Sequence, residues 1–82
     1  MKVKILLKAE KGLKSAPIFI QEKIMIKIDK LAQNPFLKSS AKLSGQQGYR
    51  IRVGDWRIIY LIDTKKKLII VIRIAHRKEV YR

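Results

Sequence analysis

The sequence predicts an α+β fold in which one amphipathic helix of the first half covers a sheet drawn mostly from the second half. Three observations carry this. Apolar residues recur at helical spacing between residues 17 and 33, strict alternation of period two governs the stretch from residue 49 onward, and Gly54-Asp55 splits that stretch like a tight turn. A helix with an apolar stripe needs a partner layer, and a half-buried sheet supplies one. With 82 residues, one domain spanning residues 1–82 is expected.

Taken in order, Val3, Ile5 and Leu7 alternate with Lys2, Lys4 and Leu6, the pattern of a short edge strand with one face buried. Residues 8–14 predict a short helical turn, weakened by Gly12. Ser15 ahead of Pro17 offers a helix start. Ile20, Ile24, Ile28 and Leu31 then form the stripe of the main helix over residues 17–33, with Met25 and Ala32 widening it. Asn34 and Pro35 end it, and residues 36–48, rich in Ser, Gly, Gln and Lys, read as loop.

In the following hairpin, Tyr49, Ile51, Val53, Trp56, Ile58 and Tyr60 share one parity and Arg50, Arg52 and Arg57 the other. A two-residue turn sets Arg52 directly opposite Arg57. Lys65, Lys66 and Lys67 fall where a second hairpin loop is expected, and a last strand covers residues 67–75. Its more apolar set, Leu68, Ile70, Ile72 and Ile74, is expected to face the helix, which leaves Arg73 on the side of the other arginines. Tyr49, Trp56 and Tyr60 then belong to the core rather than to a base-stacking platform.

Charge narrows the function. Twenty basic residues against six acidic ones give a formal charge of +14, which calls for a polyanionic partner: nucleic acid first, then an acidic protein or an anionic membrane surface. Every arginine (Arg50, Arg52, Arg57, Arg73, Arg77, Arg82) lies in the second half, whereas the first half carries only lysines. Lysine is a hydrated point charge; arginine presents a planar fork that grips phosphate oxygens in pairs. Like charges facing each other across a ladder repel. An arginine face therefore needs a reason, and bound phosphate is one.

The absence of cysteine excludes disulfides and thiolate metal sites and fits a cytoplasmic location. No apolar run approaches a membrane span, and a single histidine leaves little material for a metal centre, so no cofactor is expected.

Cleaving RNA without metal needs a group to take the 2′-hydroxyl proton, cations around the crowded phosphate and a donor for the leaving oxygen. The arginines supply cations. Because histidine titrates near neutral pH and arginine far above it, His76 is a credible acid or base and a typical arginine a poor base. Tyr81 is placed to stack on a base or donate a hydrogen bond, and Arg73, Lys42 and Arg82 are candidate RNA-binding cations.

The block KLSGQQGYRIRVGDWRIIYLID, together with IIVIRIAHRKEVYR and the preceding helix end LAQNPF, closely resembles the RelE family of toxins in the RelE/ParE superfamily, over nearly the whole chain. The resemblance implies a compact antiparallel β-sheet with helices packed on one face, related to microbial ribonuclease folds. It also implies a type II toxin that cuts mRNA in the ribosomal A site through 2′-hydroxyl attack, and a RelB-like antitoxin as partner. Position by position, the family's basic pair falls on Arg50 and Arg52, its next-strand arginine on Arg57, its C-terminal arginine on Arg77 and its C-terminal tyrosine on Tyr81. Some members carry lysine in the first pair, where this chain has arginines. Two alternatives stand beside this expectation: a ParE-like inhibitor of DNA gyrase on the same fold, and a non-catalytic module that binds nucleic acid or an antitoxin through charge alone.

Overall fold

A computed structural model describes residues 1–36, 41–43 and 48–80. Along the chain run β1 (Lys2–Ile5), α1 (Leu7–Ser15), α2 (Ile18–Gln33), β2 (Ala41–Lys42), β3 (Tyr49–Val53), β4 (Trp56–Asp63), β5 (Leu68–His76) and α3 (Arg77–Val80). The strands form a five-stranded sheet in the order β1-β5-β4-β3-β2. Strands β2 to β5 pair antiparallel, as hairpin logic expects, whereas β1 joins the edge parallel to β5, with Val3 opposite Ile69. A parallel neighbour needs a long crossover, and the two helices and three intervening strands provide it.

One apolar cluster joins the layers. Ala9 of α1 and Ile24, Ile28 and Leu31 of α2 pack on Ile51, Ile58, Tyr60, Ile69, Val71 and Ile74 of the sheet. The predicted stripe of the main helix is thus its buried face, except that Met25 stays outside it at 38% exposure. The expected short turn over residues 8–14 is a full helix. Gly12 is the reason it fits: a Cβ there would lie 1.8 Å from the Ile74 carbonyl oxygen, so only glycine lets α1 rest on the backbone of β5. Ser15 does not cap α2. Its hydroxyl donates to the Gly12 carbonyl at 2.6 Å within α1, and Pro17 takes the capping position, its carbonyl accepting from the Ile20 and Gln21 N–H groups.

The loop expected over residues 36–48 contains β2, whose two residues pair with Arg50 and Tyr49. The turn at Gly54, with φ of +59°, is the expected one, and the second hairpin turn holds Lys65, Lys66 and Lys67. Asp63 Oδ1 braces that turn by accepting the Lys66 N–H at 3.0 Å, and Lys67 closes it at φ of +51°.

The parity of β5 departs from expectation. A bulge opposite Ile59 and Tyr60 pairs Ile59 with Arg73 but Tyr60 with Val71, so Ile72 is the extra residue. Ile69 and Val71 therefore enter the core along with Ile74, while Leu68 and Ile70 turn to the other face. The uninterrupted run from Leu68 to Ile72 offers no alternation that would reveal the slip. Among the described residues, no helix is long and apolar enough to cross a membrane.

Candidate nucleic-acid interface

The sheet face opposite α1 and α2 gathers the arginines. In one row across the ladder Arg52 stands opposite Arg57, which stands opposite Ala75; in the next, Ala41 is opposite Arg50, Arg50 opposite Ile59 and Ile59 opposite Arg73. Residues paired in this way project to the same side and sit about 4.5–5.5 Å apart at Cα. Four guanidinium groups thus share the half of the open face nearest the Gly54-Asp55 turn.

They differ in setting. Arg50 and Arg52 lie on β3, near the sheet edge, and are exposed; Arg73 is half-buried; Arg57, on the central strand, is only 5% exposed. Burying a charge costs free energy that an opposite charge or hydrogen-bond acceptors recover, and like charges across a ladder repel. Burial also gives Arg57 a fixed side chain, where the exposed pair must be ordered by whatever binds.

Further along the same face, Ile59, Leu61, Leu68 and Ile70 form a half-buried apolar band, and Lys2 and Lys4 pair opposite Leu68 and Ile70. Those two lysines were not among the expected site residues. Their alternation with Val3 and Ile5 was the signal that could have found them.

The remaining expected residues fall elsewhere. Lys42 pairs with Tyr49, on the parity of the helix-covered face, and lines a depression with Gly48, Leu61 and Asp63 at the sheet's far end. His76 pairs with Trp56 and shares its side of the sheet, across from Arg52 and Arg57; the two rings meet edge to face with centroids 5.5 Å apart. Its parity with Ile74 already pointed there. Arg77 is exposed at the start of α3, and its N–H donates to the Asp55 carbonyl at 2.6 Å. Tyr81 and Arg82 lie outside the described residues. Tyr49 and Tyr60 stack at 5.7 Å, with Phe36 edge-on to Tyr49, which is the packing role expected for these aromatics. Among the described residues, no three His, Asp or Glu side chains come together in a group that could hold a metal ion.

Chemically, the open face can bind successive phosphates of a single strand and stabilise added negative charge at one of them. Guanidinium groups are donors only, the complement of phosphodiester oxygens.

The comparisons with known proteins agree on the family. The profile described as ParE toxin of type II toxin-antitoxin system, parDE, matches residues 3–81. No match is found among curated proteins. Among solved structures, the chain is similar to the RelB-RelE antitoxin-toxin complex of Methanococcus jannaschii, at 29% identity and TM-score 0.79 over 95% of this chain and 94% of that one. It is similar also to the archaeal RelE-RelB complex of Pyrococcus horikoshii OT3, at 28% identity and TM-score 0.78 over 93% of each chain. The YoeB/ParE toxin of Agrobacterium tumefaciens, at 19% identity and TM-score 0.80 over 93% of this chain and 98% of that one, shares the fold. With nearly its whole length matched by the family profile, this chain belongs to the RelE/ParE superfamily of toxins of type II toxin–antitoxin systems.

Proposed function

We propose that the chain is a metal-independent endoribonuclease that cuts mRNA in the ribosomal A site and so stops translation. One observation carries the proposal: Arg50, Arg52, Arg57 and Arg73 share the sheet face opposite α1 and α2. In the reaction, the 2′-hydroxyl oxygen attacks the adjacent phosphorus, the bond to the 5′-oxygen breaks, and a 2′,3′-cyclic phosphate and a 5′-hydroxyl result. Arg57, held by burial, stabilises the charge that builds on the crowded phosphate. Arg50 and Arg52, exposed beside it, bind flanking phosphates, with Arg73 on the other side of Ile59. Arg77 adds a further cation and Tyr81 stacks on or donates to the substrate, as the resemblance to RelE implies.

The ribosome fits as partner because a charge of +14 draws the protein to RNA. In the cell a RelB-like antitoxin is the expected inhibitor, since the archaeal relatives are seen in complex with RelB. It neutralises the same charge.

A second reading has one specific observation behind it: the matching profile is described by ParE and parDE. On that reading the target is DNA gyrase. Primer extension on an mRNA in programmed ribosomes separates the two. Cleavage inside the A-site codon that vanishes without ribosomes is the expected result; intact mRNA with a folded sample, and DNA-damage signalling on induction, would replace the nuclease with the gyrase reading. Binding that weakens steeply with salt, without cleavage or gyrase inhibition, would leave a non-catalytic module.

A further inference from the structure

His76 sits at the junction where β5 gives way to α3, against the β3–β4 turn. Three contacts build that junction. The His76 ring meets Trp56 edge to face at 87° with centroids 5.5 Å apart. Its Nδ1 accepts the Lys78 N–H at 3.3 Å. Between them, the Arg77 N–H reaches the Asp55 carbonyl at 2.6 Å. The last ladder pair is Trp56 with His76, so the backbone beyond it has no strand partner and would fray without these contacts.

We propose that His76 is a positioning residue which, with Trp56 and the Asp55 carbonyl, fixes the backbone from which Arg77 projects. The inference rests on the reading of Arg77 as a phosphate-binding cation under the proposed function. A nitrogen that accepts a hydrogen bond carries no proton, so the neutral ring holds its proton on Nε2. The Nδ1 lone pair that proton abstraction would use is spent on the first turn of α3, and the ring lies across the sheet from Arg52 and Arg57. Holding a side chain by its backbone matters here because a cation displaced by about 1 Å loses on the order of 100-fold of its effect on a reaction. The Gly54-Asp55 turn thereby does two things: it sets the Arg52 and Arg57 register and it anchors the segment bearing Arg77.

The test uses the full chain, labelled with nitrogen-15, and measures amide exchange beside single-turnover cleavage on programmed ribosomes. His76→Ala is expected to speed exchange at Lys78 by about 10-fold or more while Ile58 keeps its protection, and to slow cleavage by about 10- to 100-fold with the pH profile unchanged. His76→Asn, whose side-chain oxygen offers an acceptor near the Nδ1 position, is expected to restore Lys78 protection and most of the rate. Unchanged exchange at Lys78 in His76→Ala overturns the proposal. So does an inactive His76→Asn with Lys78 protected and an altered pH profile, which would make His76 the acid or base. If the parent itself does not cleave, the nuclease reading falls, and the exchange measurement alone decides whether His76 holds this backbone.

Discussion

The two faces of β4 are written in alternate residues of one strand, yet their physics is opposed. Ile58 and Tyr60 point under the helices and are fully buried. Arg57 and Ile59 point to the side opposite α1 and α2, where Arg57 lies beside Arg52 and the row of Arg50 and Arg73 runs next to it. On the covered face each neighbour supports the next: Tyr60 stacks on Tyr49, Ile58 pairs with Ile51 and Ile74, and removing water from these surfaces drives folding. On the open face the neighbours repel. The comparison teaches that core packing and cation clustering are sorted by side-chain parity, so that a chain of this size can set arginines face to face without giving up its core.

Substitutions on each face can break or sharpen that contrast. Tyr60→Ala, on the covered face, should cost about 3–5 kcal/mol in chemical denaturation, because a fully buried aromatic leaves a large cavity. Gly12→Ala should come close behind, at about 3 kcal/mol, since α1 must lift from the Ile74 carbonyl; a variant as stable as the parent would show that α1 does not seat as described. Arg52→Ala belongs to the other face and should leave stability within ~0.5 kcal/mol or raise it slightly, as a facing like charge is removed. Its effect should appear in binding instead, as a shallower salt dependence by roughly 0.7 in log–log slope on single-stranded RNA. Smallest of all, Lys67→Gly should stabilise by up to about 1 kcal/mol by relieving a positive φ, partly offset by the entropy of glycine in the unfolded chain, and should leave cleavage unaltered.

What the sequence made legible follows the same parity. The Arg52–Arg57 register and the burial of Ile51, Ile58 and Tyr60 could be read because a two-residue turn and clean alternation fix which side chains share a face. The same holds for Arg73, although the alternation behind it is interrupted one residue earlier. The bulge at Ile72 was not legible, because five consecutive apolar residues look the same on either face. Nor was α1: Gly12 lowers helix propensity, and its value lies in a contact with Ile74 far along the chain. The parallel placement of β1 and the two-residue β2 depend on partners more than on their own composition. At the site, sequence alone made His76 stand out as the one side chain with a suitable reference pKa, while its face and its hydrogen bond to Lys78 are tertiary facts.

The most direct test is the Arg57→Ala/Arg77→Ala double variant in single-turnover cleavage of A-site mRNA, with thermal unfolding measured on the same sample. A folded variant whose cleavage falls by about 1000-fold or more is the predicted result, since it has lost the cations that stabilise the crowded phosphate. A folded variant that cleaves as fast as the parent would contradict the account and remove the open arginine face from the chemistry.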